Sequence, residues 1–142
     1  MSSEQKGVWI ELVVAVATYV AYAIVVLGEV GRSSWAGAPY APLMLWAIGA
    51  SVVATVIVRT IVATVSPKDA GKRDVRDRQI YRFGEYTARW AVIAGALVAL
   101  LLAILRVDYF WIANEVYLAF FVSAIIAAVV KLVGYRRGVP AW

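Results

Sequence analysis

The chain has 142 residues, of which 63% are hydrophobic and 16% charged; its formal net charge is +5, and it contains neither cysteine nor histidine. A soluble domain of this size buries only about 70% of the surface its unfolded chain exposes, too little to hide so many apolar side chains. Four membrane helices of about 20 residues would account for roughly 80 residues. Disorder, collagen and ordinary globular folds are excluded. The absence of cysteine removes disulfide exchange, thiol nucleophiles, thiolate zinc sites and iron–sulfur clusters, and the absence of histidine removes the usual haem ligand and the commonest general base.

Four apolar runs follow in chain order, at about 8–27, 42–65, 87–105 and 109–133, each long enough to cross about 30 Å of hydrocarbon at 1.5 Å per residue. The first lacks a basic flank and a small-residue cleavage site, and is predicted to be a retained helix rather than a signal peptide. Pro42 falls in the first turn of the second, where its missing N–H costs nothing. Only Arg106-Val107-Asp108 separates the third from the fourth, which forces a tight antiparallel connection. The expected architecture is a single all-α integral membrane domain over 1–142. Its four transmembrane helices form two antiparallel hairpins, and a short amphipathic cytoplasmic helix in the segment 66–86 precedes the third span.

Basic residues set the expected orientation. Lys6, then Lys68, Lys72, Arg73, Arg76, Arg78, Arg82 and Arg89, then Lys131, Arg136 and Arg137 fall on one side, and only Arg32 and Arg106 on the other. Eleven against two, with Arg59 inside a span, predicts cytoplasmic N and C termini in a cell inner (plasma) membrane. Trp9, Trp46, Trp90 and Trp111 lie near span boundaries, as interfacial anchors do.

Small residues let membrane helices approach closely. Ala91, Gly95, Ala99 and Ala103 form such a ridge on span three. Ala47-Ser51-Thr55-Arg59 on span two matches Ala119-Ser123-Ala127-Lys131 on span four at the same four-residue step, the pattern expected of two related hairpins. Charges inside hydrocarbon need a partner or a route to water. Glu11 and Arg59 lie at neighbouring depths and are expected to pair, either as a structural clamp or as a proton or ion site. On the outer side Arg32, Arg106, Asp108 and Glu115 are expected to cluster, Glu115 meeting Arg32 or Arg106, with a cation-binding mouth as the sharper alternative. Thr18, Tyr19, Tyr22, Ser51 and Thr55 are available to line a polar path, although hydroxyls readily bond their own helix.

Between spans two and three, Asp74, Arg76, Asp77, Arg78, Arg82, Glu85 and Arg89 combine with Val75, Ile80, Phe83 and Trp90 into an expected amphipathic helix lying at the inner interface or feeding from it into the third span. Asp74–Arg78, Arg82–Glu85 and Glu85–Arg89 stand at helical contact spacing, and the cations favour anionic lipid headgroups. Docking of a cytoplasmic protein is a second role, and a divalent cation held by Asp74, Asp77 and Glu85 a third. Acids interrupt the basic run and no recognised module is present, so no nucleic acid is expected as a partner.

Asp74-Val-Arg-Asp77, Gly84-Glu-Tyr86, Trp111-Ile-Ala-Asn114 and Tyr135-Arg-Arg-Gly138 together resemble an uncharacterised family of small four-helix bacterial and archaeal membrane proteins with an Asp-Glu-Arg-Asp-type motif before the third span. The likeness covers about 73–138, and Val75 stands where that pattern has Glu. It carries no activity across; the neighbourhood of some members with helix-turn-helix regulators implies a regulatory partnership. With no cysteine or histidine, no Gly-rich phosphate loop and no convincing carboxylate dyad, the chain is expected to be no enzyme and to take no cofactor or metal. The function expected is a structural or regulatory subunit of a membrane assembly, a homo-oligomer or part of a larger complex. The alternative is a small transporter or channel using Glu11 and Arg59, as small multidrug exporters use a glutamate of their first helix.

Overall fold

The structure, a computed structural model, describes residues 3–65 and 75–139. Four helices account for nearly all of them: α1 (Ser3–Arg32), α2 (Tyr40–Val65), α3 (Val75–Ile104) and α4 (Tyr109–Arg137). All four are long and apolar enough to cross a membrane, and the protein is an all-α, multi-pass membrane protein. The helices outrun the apolar stretches that announce them. Hydropathy marks the part of a helix suited to lipid, whereas the helix itself continues until something breaks its backbone bonds. No proline interrupts 75–86, so α3 begins at Val75 and runs unbroken through Ile104. The described part of the amphipathic segment is therefore the first turns of α3, not a separate helix. Asp74 and the remainder of that segment lie outside the described residues.

Both connections at one end of the bundle are capped locally. After α1, Ser33 donates its N–H and its hydroxyl to the Glu29 carbonyl, both at 3.0 Å. After α3, Arg106 adopts a left-handed backbone, φ 55°. Its N–H reaches the Ala103 carbonyl while the Val107 N–H reaches Leu102, both at 3.0 Å, the paired bonds of a Schellman ending. Asp108 then opens α4, its side chain accepting from the Phe110 N–H at 2.9 Å. Arg106 and Asp108 thus have backbone tasks.

Substantial packing joins α3 to α4, α4 to α1, and α1 to α2, giving the order α2, α1, α4, α3. Along α3 and α4 the contacts run Ile80 on Gly134, Gly84 on Lys131 and Gly95 on Ala119. Ser123 Oγ adds a hydrogen bond to the Ala88 carbonyl at 3.0 Å. Between α1 and α4 the contact is aromatic. Tyr19 stacks on Phe121 with centroids 4.1 Å apart, Tyr22 stands edge-on to Tyr117 at 5.0 Å, and the Tyr22 hydroxyl donates to Asn114 Oδ1 at 2.7 Å. At the loop end Tyr22, Val26, Ala38 and Phe110 form a buried cluster against which the first turns of α2 pack.

The small-residue ridge on α3 is only partly the one its four-residue spacing predicts. Gly95 is buried, Ala91 and Ala99 are half-buried, and Ala103 is exposed. A strict four-residue step advances about 40° around the helix each time, so three steps carry Ala103 about 120° away from Ala91. Gly84 and Ala88 complete the buried stripe instead. A Cβ on Gly95 would stand 2.2 Å from the Ala119 Cβ, whereas one on Gly49 of α2 would meet nothing within 4 Å. Gly95→Ala should therefore destabilise the protein by about 1–3 kcal/mol, while Gly49→Ala leaves it unchanged or slightly more stable. Thermal unfolding in mild detergent tests the contrast, and equal effects would contradict the close α3–α4 approach.

Candidate functional site

Three groups of polar side chains sit within or beside the apolar spans, and each uses a different pair of helices. The first lies eight residues beyond the start of α1, where Glu11 Oε1 accepts from Arg59 Nη2 of α2. Arg59 is six residues from the end of its own helix, about 9 Å of rise. Its Nε is buried with no hydrogen-bond partner among the described residues.

The second group joins α3 to α4. Lys131 is 3% exposed, and its Nζ donates to Glu85 Oε1 at 2.6 Å while lying 4.0 Å from the Tyr81 ring centroid. Gly84 makes the route possible, because a Cβ there would come within 2.6 Å of Lys131 Cγ. Lys131, like Arg59, is six residues from the end of its helix. The two pairs are also alike in spacing, Arg59 standing 48 positions after Glu11 and Lys131 46 positions after Glu85.

This second pair redirects what the sequence predicts for the α3 segment. Arg82 and Arg89 are the expected partners of Glu85, but its carboxylate is taken by Lys131, because an unbroken helix turns Glu85 toward α4. Arg89 instead lies 5.8 Å from the Tyr86 ring, Arg76 Nη2 donates to the Tyr135 carbonyl at 3.3 Å, and Asp77 occupies the first turn of α3, where the helix dipole favours an acid. Arg78 and Arg82 are exposed. Among the described residues no three His, Cys, Asp or Glu side chains gather where they could hold a metal ion.

At the loop end the expected outer charge cluster does not assemble. Arg32 Nη1 donates to Glu29 Oε1 at 3.1 Å on an exposed surface. Arg106 is exposed in its turn, Asp108 caps α4, and Glu115 pairs with neither arginine. The reason is helical phase: Glu115 points toward α3, its Oε1 3.2 Å from where a Cβ on Gly95 would stand. Glu115 Oε2 is buried without a hydrogen-bond partner among the described residues. Of the hydroxyl residues, Thr18, Tyr19 and Ser51 border one largely apolar groove of about 290 Å³; Thr18 Oγ1 donates to the Val14 carbonyl of its own helix at 2.7 Å, and Tyr19 and Tyr22 belong to the aromatic contact.

Lys131 and the Tyr19–Phe121 contact are absent from the sequence-derived site. The signal for Lys131 is the series Ala119-Ser123-Ala127-Lys131, which mirrors the one ending in Arg59 and marks Lys131 as the second cation in need of an acid. The aromatic contact has no comparable signal, because a tyrosine in an apolar run reads equally well as an interfacial anchor. Comparison with family models, with curated proteins and with solved structures finds no match.

Removing one partner of a buried charge leaves the other without compensation, whereas removing the buried charge itself does not. Glu85 is 50% exposed and therefore screened, so Glu85→Gln should cost about 1–2 kcal/mol. Lys131→Met should cost less, and Glu85→Gln on top of Lys131→Met should add almost nothing. A thermal-unfolding cycle on the four proteins reads this directly; additive losses would show that the pair does not couple.

Proposed function

We propose that the protein is a non-catalytic subunit of a membrane assembly, arranged as two antiparallel hairpins with both termini in the cytoplasm. The observation that carries this is the use of its intramembrane charges. Glu11 is tied to Arg59 within the first two helices, and Glu85 to Lys131 within the last two. Such ties hold helices at a fixed register. The most apolar stretch of α2 has no buried residue, and the far face of α3 exposes Leu97, Leu100 and Leu101. Both flanks are thus open to a neighbouring subunit or to lipid. The exposed Arg78 and Arg82 at the start of α3 can meet anionic headgroups or a regulatory partner of the kind that the family resemblance implies. The transport alternative would use Glu11 as an exchanging carboxylate; its engagement with Arg59 favours the clamp.

Purification in several mild detergents tests the proposal. Either a stoichiometric partner or a defined homo-oligomer is expected, and a lone protomer in every mild detergent would overturn it. In intact cells an impermeant thiol reagent should label Ala36→Cys and not Ala70→Cys; the reverse pattern would overturn the orientation.

A further inference from the structure

Among the described residues, Glu115 is the acid of the four spans that is left with a buried oxygen and no hydrogen-bond donor. It lies six residues into α4, about 9 Å of helical rise from Tyr109. Beside it opens a cleft of about 500 Å³ between α1, α3 and α4, bordered by Tyr19, Leu102, Trp111, Asn114, Glu115 and Leu118. Asn114 is already engaged: its Oδ1 accepts from Tyr22 and its Nδ2 donates to the Phe110 carbonyl at 2.8 Å. No lysine or arginine lines the cleft, Arg32 is bound to Glu29, and Arg106 is exposed in its turn. A carboxylate with no basic partner in an apolar span is unfavourable, and a cation seated in the cleft that Glu115 borders would offset its charge.

The surroundings decide which cation. A small inorganic ion wants several oxygen ligands, six to eight for calcium, and the cleft supplies little beyond one carboxylate. Aromatic rings and leucine side chains instead favour a cation with an apolar body, through ring-face attraction and burial. The volume falls within the usual range for sites of small organic ligands, about 300–1,000 Å³. We propose that this cleft binds a hydrophobic organic monocation, an alkylammonium or a similar onium ion, with Glu115 as its counter-ion and the Tyr19 and Trp111 rings as its walls. Such a site is independent of the subunit role and uses neither ion pair.

Tetraphenylphosphonium is a suitable probe, because it is a permanent cation with no hydrogen-bond donors. The full chain in phosphatidylglycerol nanodiscs should bind it saturably at one site per chain, above the level of empty nanodiscs. Glu115→Gln should weaken binding by about tenfold or more, the loss of one charge-assisted contact. Leu118→Trp, at a position exposed on the cleft rim, should block binding while keeping the carboxylate, which guards against Glu115→Gln simply misfolding. Glu29→Gln, outside the cleft, should bind like the unaltered chain. Binding equal to that of empty nanodiscs, or unchanged by both Glu115→Gln and Leu118→Trp, would overturn the site. Displacement of the probe by ethanolamine headgroups at lipid concentrations would overturn its assignment to a free organic cation.

Discussion

The close approach of α3 and α4 is the constraint on which the rest of the structure depends. Gly84, Gly95 and Gly134 remove side chains at three places where the two helices meet, opposite Lys131, Ala119 and Ile80 respectively. In lipid there is no hydrophobic gain from bringing two apolar helices together, so the contact rests on packing and on hydrogen bonds made in a medium that offers few others. The Ser123 hydroxyl on the Ala88 carbonyl and the Lys131 ammonium on Glu85 are such bonds, and both need the backbones to be near. With α3 held there, α4 presents its opposite side to α1, where Asn114, Tyr117 and Phe121 receive Tyr22 and Tyr19. α2 comes last, joined to α1 by the Glu11–Arg59 pair and the cluster around Tyr22.

The phase of α4 turns Glu115 toward Gly95 of α3 and away from the loop arginines, while Lys131 meets Glu85 of α3 further along the helix. α4 thus carries a satisfied charge near one end of the bundle and an unsatisfied carboxylate near the other. The Schellman ending at Arg106 and the Asp108 cap fix where α4 begins, and so fix that phase. Residues that look like a surface charge cluster in the sequence act here through the backbone, by ending one helix and starting the next.

Much of the fold was legible because hydropathy and length are properties of contiguous sequence. Four helices follow from four apolar runs, and α4 starts at Tyr109 as its run predicts. Less legible were helix ends and phase. The run beginning at 87 marks where α3 becomes apolar, yet the helix starts at Val75, and that extension is what carries Glu85 round to Lys131. Among the candidate site residues, Glu11 and Arg59 could be matched by depth alone, since each is an isolated charge in a lipid-soluble stretch. Glu115 could not be matched in this way: depth places it near Arg32 and Arg106, and only the rotation of α4 separates them. Asp74 lies outside the described residues.

Central to this account is the helix order α2, α1, α4, α3, with α4 between α1 and α3. The natural absence of cysteine makes it directly measurable by introducing cysteine pairs and a short bifunctional thiol reagent in native membranes. Tyr19→Cys with Phe121→Cys, and Ala88→Cys with Ser123→Cys, should each join within one chain. Val53→Cys with Leu97→Cys, on the outer faces of α2 and α3, should join only between two chains or not at all. Efficient joining of that last pair within a single chain would contradict the order and the account built on it.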